Sequence, residues 1–212
     1  IEPKKVMTAK MGIEETDYVV GICSRIVEEK GILQLQNAIK ALKKSYNINN
    51  IKLLIIGDMS KATEYTRKVL KNADTSMIMT GYIDHVKLPQ YFKLIDVMVA
   101  PTVHLKKYES FYGYQGVQEG FNLTVIEALG MGIPVIVTDS GGMPEIITDN
   151  SVGYVISAAE ETIEKDLKDV IYKCYKGCKS EKLSENCKKV ANKFSKEKYC
   201  RTYDNYLKCP IN

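Results

Sequence analysis

QEGFNLTVIEALGMGIPVIVTDSGGMPE, running from Gln118 to Glu145, carries two glutamates eight positions apart, Glu119 and Glu127. Gly120, Phe121 and Asn122 follow the first, and an apolar run reaches the second. Small residues between Ala128 and Gly132 end that run. Pro134 opens a β-branched segment, Val135 to Thr138, and Gly141-Gly142 comes next. The pattern reads as loop, helix, buried strand and Gly-rich turn. In an open α/β sheet, a loop leading into a helix N-terminus faces the carboxyl edge of the strands, where ligands bind. Free backbone N–H groups and the positive end of the helix dipole suit such a loop to phosphate or another anion.

A helix starting near Asn122 or Leu123 places Glu127 in its second turn and leaves Glu119 on the loop before it. A loop carboxylate can reach the reacting or hydroxyl-rich end of a ligand. An ionised Glu127 accepts hydrogen bonds only, so vicinal hydroxyls of a sugar or ribose suit it. Taken singly, each glutamate reads first as a solvated surface charge. The conjunction of loop, spacing and glycines is what favours a site.

Outward from this stretch, the chain alternates strand and helix. YVVGIC (Tyr18 to Cys23) reads as the first buried parallel strand. Ile32, Leu35, Ala38, Ile39 and Leu42 in ILQLQNAIKALKKSY are spaced as an amphipathic helix. Further strands are expected at Ile51 to Gly57, Ser76 to Thr80, Asp96 to Ala100 and Val152 to Ser157. Helices are expected at Lys61 to Ala73, Leu88 to Ile95, Ala158 to Lys176, Glu181 to Phe194 and Ser195 to Leu207. The expected architecture is an α/β, Rossmann-like three-layer sandwich on a roughly six-stranded parallel sheet. Residues 1–17 are polar and mixed and read as the remnant of an interdomain linker, with a domain over 18–194 and a terminal helix over 195–212. The chain begins with Ile1, as an excised fragment would.

Between the first strand and helix, SRIVEEKG carries Arg25 and Lys30. Two cations at a strand's carboxyl end can hold a diphosphate, Arg as a planar fork and Lys as a mobile point charge. Taken alone, they read first as a surface pair in a charged loop. Thr102 to Gln118 is longer than the usual connection of about four to six residues. It holds Tyr108, Phe111, Tyr112 and Tyr114. It reads either as a lid or wall over a ligand or as a loop anchored by aromatics. His104 within it reads as structural.

Composition excludes several classes. Hydrophobic residues make up 45% and charged residues 26%, ordinary globular values. Net charge is +4, from 30 Lys+Arg against 26 Asp+Glu. There is no basic tract with interleaved aromatics, so no nucleic-acid partner is expected. No apolar run approaches the roughly 20 residues of a membrane span. Six cysteines and two distant histidines form no convincing zinc pattern, and reduced, cytosolic cysteines are expected. Cys23 reads as a small core residue.

The run EGFNLTVIEALGMGIPVIVTDSGGMPE closely resembles the Glu-x7-Glu signature of retaining nucleotide-sugar glycosyltransferases of the GT-B fold, the group 1 or family 4 type. SRIVEEKG resembles the family's GRLxxEKG, with Ser24 in place of a glycine. Asn122 also stands where glycine is usual; asparagine tolerates left-handed backbone, so the turn is expected to survive. The resemblance covers nearly the whole chain but only the C-terminal, donor-binding half of such an enzyme. It implies a nucleoside diphosphate sugar donor, with Arg25, Lys30 and Glu119 in catalysis. Gly120, Phe121, Asn122, Leu123 and Glu127 would bind the donor, and Tyr82 and Ile83 would flank the base. It further implies retention of configuration and no cofactor or metal. A glycan or lipid acceptor would be held mainly by an N-terminal domain, in a cytoplasmic protein able to associate peripherally with the membrane face. An epimerase of nucleotide sugars, a phosphorylase or synthase, and a non-catalytic nucleotide-binding module remain as alternatives.

Overall fold

The structure, a computed structural model, describes residues 3–106, 119–147, 151–177, 180–195 and 197–198. Six strands form one parallel sheet: β1 (Tyr18–Cys23), β2 (Ile51–Ile56), β3 (Met77–Met79), β4 (Val97–Ala100), β5 (Val135–Thr138) and β6 (Gly153–Ile156). A parallel, six-stranded, Rossmann-like sheet is as expected from the sequence; its spatial order is β3-β2-β1-β4-β5-β6, a doubly wound arrangement. Register is continuous through the centre, with Val20 opposite both Leu53 and Val97.

Both faces are covered, which is why the strands read as nearly continuous apolar runs. Side chains alternate along each strand. Val19, Leu54, Met98 and Val135 enter one core, and Val20, Leu53, Val97 and Ile136 the other. The first core packs under α1 (Lys4–Met11), α4 (Leu88–Phe92), α5 (Leu123–Gly130) and α8 (Glu181–Lys193). The second packs under α2 (Ile32–Tyr46), α3 (Glu64–Lys71) and α7 (Ile163–Lys176). A one-turn α6 (Met143–Ile146), not expected from the sequence, follows the double glycine.

Within the stretch expected to be a polar linker, residues 4–11 are helical. Met7 and Ile13 are buried in the first core beside Leu88 and Phe92. Only one residue of KKVMTAKM is buried, so no apolar stripe announces this helix. Elsewhere boundaries tighten: α3 begins at Glu64, capped by Thr63, and α7 begins at Ile163. The Tyr-rich part of the long loop and most of the expected terminal helix lie outside the described residues. Among those described, no helix is long and apolar enough to cross a membrane.

The topology positions a crevice. β1 and β4 are neighbours, yet β1 leads to α2 on one face and β4 is followed by α5 on the other. Ligands bind at the carboxyl ends of strands where connections diverge in this way.

Candidate functional site

Lys30 lies in a 3-10 turn after β1, and Gly31 ends that turn in the left-handed conformation, φ 64°. A β-carbon on Gly31 would sit 2.0 Å from the carbonyl oxygen of Pro101, so glycine is what lets the loop after β1 close onto the end of β4. Val103 N–H donates to the Glu29 carbonyl at 3.0 Å across the same seam. This contact delivers Lys30 to Glu119, 89 residues away: Lys30 Nζ is ion-paired and hydrogen-bonded to Glu119 Oε2. Both side chains are largely buried, 16% and 12% exposed. Thr102 Oγ1 donates to the same carboxylate oxygen at 3.1 Å.

The double glycine braces the other side of Glu119. Gly142 N–H donates to the Glu119 carbonyl at 3.0 Å. Gly141 has φ 56°, and a β-carbon there would lie 2.0 Å from that same oxygen. The Glu119 N–H donates to Ser140 Oγ at 3.2 Å. The glutamate is thus held by its side chain and by both of its backbone polar groups.

Helix α5 starts directly after this loop. Asn122 caps it, its side-chain oxygen accepting from Thr124 N–H at 3.1 Å and Val125 N–H at 3.4 Å. Its backbone is extended, φ −103°, ψ 100°, which corrects the left-handed role expected of it. Asparagine serves here as a helix cap. The cap engages the second and third helical N–H groups. Among the described residues, the N–H groups of Phe121, Asn122 and Leu123 donate to no protein acceptor. Phe121 and Leu123 expose their side chains, and Phe121 meets Phe194 at 5.7 Å between ring centroids. A cleft of about 530 Å³ opens here, lined by Glu119, Gly120, Phe121, Gly142, Glu145 and Phe194 among others.

Glu127 stands one turn further along α5 and accepts from His85: its Oε1 lies 2.8 Å from His85 Nε2. The hydrogen bond to Glu127, and then its charge, raise the His85 pKa above the usual histidine value. Glu127 also acts at longer range on Cys23, at the end of β1. Burial first and the Glu127 carboxylate second push that thiol up to about 11.

Of the residues singled out from the sequence, Lys30 and Glu119 meet directly, and Gly120 to Leu123 form the helix entrance beside them. Arg25 does not join that contact. Its side chain is 76% exposed, 3.7 Å from Glu29, at the rim of the crevice. Tyr82 is exposed on the turn after β3, whereas Ile83 packs against the core. Thr102, Ser140 and His85 were not singled out, and His104 was read as structural, yet all four touch the two glutamates or their supports. The alternation Thr102-Val103-His104-Leu105 was a usable signal: it points two polar side chains one way and two buried apolar ones the other. Among the described residues, no group of three or more His, Cys, Asp or Glu is placed to hold a metal. A separate cavity of about 430 Å³ lies at the amino ends of the strands, by Tyr18, Pro134 and Gly153, remote from this chemistry.

Residues 4–193 match the family model described as Glycosyl transferases group 1. Among curated proteins, the chain is similar to the lipopolysaccharide 1,2-N-acetylglucosaminetransferase of Salmonella typhimurium. Identity is 26% over 215 residues, covering 97% of this chain and 52% of that protein. The chain spans about half the length, or less, of the curated relatives it matches. Among solved structures, a glycosyltransferase from Rickettsia africae superposes with a TM-score of 0.78 at 21% identity, covering 99% of this chain and 54% of that one. Anabaena HepE, solved in complex with UDP-glucose, superposes with a TM-score of 0.71 at 17% identity, covering 91% and 49%. These two likenesses are ones of fold.

Proposed function

This chain belongs to the Glycosyl transferases group 1 family, and we propose that it is the half that binds a nucleoside diphosphate sugar and presents it for transfer. The observation that carries this reading is the convergence, at the switch point of the sheet, of Lys30, Glu119 and three unengaged N–H groups at the entrance to α5. A diphosphate needs cations and N–H donors in one place, and a sugar needs a nearby acceptor for its hydroxyls.

In this reading the diphosphate lies against the N–H groups of Phe121, Asn122 and Leu123, with Arg25 closing from the rim. Lys30 carries three donor hydrogens, so it can keep Glu119 and engage a phosphate oxygen together. As the bond from sugar to diphosphate breaks, negative charge grows on the leaving phosphate. Preorganised cations and N–H groups stabilise that charge, usually the largest catalytic contribution, and a metal is not required for it. Glu119 faces the sugar near its reacting carbon, and Gly120 keeps the approach open. Glu127 takes the ribose hydroxyls in exchange for His85. Tyr82 and Ile83 flank the base. Transfer is proposed to retain configuration, with a glycan or lipid acceptor held mainly by protein outside this chain. The HepE structure, which holds UDP-glucose, supports a nucleotide sugar as the donor class.

Calorimetric titration with UDP, GDP and ADP, each with and without its sugars, tests the proposal. Binding of one diphosphate, weakened in Arg25→Ala and Lys30→Ala variants that still fold, is the expected result. Unchanged affinity in both variants would rule out the assigned diphosphate site.

A further inference from the structure

We propose that His104, acting through Ser140, is a positioning residue that sets Glu119 against the donor sugar; this rests on the donor-binding reading above. Ser140 is fully buried, and its hydroxyl oxygen lies 3.1 Å from His104 Nε2 and accepts the Glu119 N–H at 3.2 Å. A hydroxyl has one proton, which is free for the imidazole once the oxygen accepts from Glu119. The ring thereby orients the serine, and the serine orients the glutamate backbone.

The histidine itself rests on a fixed platform. His104 N–H donates to the Ala158 carbonyl at 2.9 Å, and Thr138 Oγ1 donates to the Thr102 carbonyl at 2.8 Å. Val103 and Leu105, on either side of it, are buried in the second core. Thr102 and His104, two apart on an extended segment, face the same way. One grips the Glu119 carboxylate and the other, through Ser140, its main chain. The remaining braces, Gly142 N–H on the Glu119 carbonyl and Lys30 on its carboxylate, do not depend on His104. Loss of the imidazole therefore loosens Glu119 while leaving the helix entrance beside it in place. His104 touches neither Lys30 nor the N–H groups of Phe121 to Leu123, so diphosphate binding is separable from sugar positioning.

The test is the ratio of two dissociation constants, for a nucleoside diphosphate and for its sugar conjugate, measured by calorimetry with the UDP, GDP and ADP series. In the wild-type chain the sugar is expected to tighten binding. In His104→Ala that increment falls by about tenfold, the scale of one lost hydrogen bond, while diphosphate affinity stays within about twofold. His104→Gln, whose amide can reach the position of Nε2, restores the increment. A simple structural role would weaken both ligands together and would show no rescue by glutamine; either result overturns the inference. So does a wild-type chain in which the sugar adds nothing. A wild-type chain that binds none of the diphosphates overturns the donor reading itself, whereas diphosphate binding with an unaltered ratio in His104→Ala overturns only the role of His104.

Discussion

Gly141→Ala isolates the contact that holds the glutamate loop in place. Gly141 has φ 56°, and an added β-carbon would lie 2.0 Å from the Glu119 carbonyl oxygen and 2.8 Å from its carbon. Ordinary contact begins near 3.4 Å, so backbone must move by more than an ångström. Two contributions follow. Holding an L-residue in the left-handed conformation costs about 1–2 kcal/mol. Displacing Glu119 breaks its hydrogen bond from Gly142 N–H, about 1 kcal/mol more. The expected destabilisation is therefore about 2–3 kcal/mol, read from urea unfolding followed by circular dichroism. Two control variants separate the contributions. Gly12 has φ 63° with nothing within 4 Å of an added β-carbon, so Gly12→Ala reports the left-handed cost alone. Gly120 has open space and no positive φ, so Gly120→Ala is expected to stay within about 0.5 kcal/mol of wild type. Equal losses in Gly12→Ala and Gly141→Ala would refute the steric brace and, with it, the account of why the double glycine stands where it does.

Asn122→Ala removes the cap of α5 and is expected to lower stability by about 1 kcal/mol, whereas Asn122→Gly is expected to lose only a few tenths; denaturant midpoints decide, and an Asn122→Ala variant as stable as wild type would argue that the side-chain cap contributes nothing. His85 should titrate above the histidine reference of about 6.5 in an NMR titration and return toward it in Glu127→Gln. Its raised folded-state pKa means the His85–Glu127 contact is fully present below the unfolded value and is lost as pH rises through the folded one; a His85 titration at or below the reference would contradict the contact. Burial raises Cys23, Cys174 and Cys187 to about 11 each. Iodoacetamide at neutral pH is therefore expected to label these three slowly in the folded chain and quickly in urea, as read by peptide mass spectrometry. Fast labelling of Cys23 in the native chain would show that the end of β1 is open.

What the sequence disclosed, and what it withheld, follows the range of the interactions involved. YVVGIC and IKLLII were legible because parallel strands covered on both faces carry apolar residues at nearly every position, Lys52 being the exception in the second. The amphipathic α2 was legible because one stripe of it is buried. Helix α1 was not, since Met7 alone of its eight residues is buried. At the site, residue types were legible and pairings were not. Glu119 and Lys30 could each be marked as candidates, but their contact spans 89 residues. It exists only because β4 inserts beside β1, an order that no local pattern encodes. The same holds for His85 and Glu127, 42 residues apart.

Asn122 and Arg25 show a further boundary, because in both the residue type was noticed and the physics misassigned or left open. Asparagine suits a left-handed turn and a helix cap alike, and only φ decides between them; at −103° it is a cap. Arg25 and Lys30 sit five positions apart in one loop, yet the 3-10 turn sends Lys30 under the loop before α5 and leaves Arg25 76% exposed. If a diphosphate binds, the two cations therefore do different work. Lys30 is already desolvated and bound to Glu119, so its removal leaves a largely buried carboxylate held, among the described residues, by Thr102 alone and should damage folding as well as affinity. Arg25 has little to lose in the free chain, so its removal should leave stability within about 0.5 kcal/mol of wild type and act on ligand affinity alone. A Lys30→Ala variant as stable as Arg25→Ala would mean that the buried pair contributes nothing to the fold, and that the convergence at the switch point is weaker than its geometry implies.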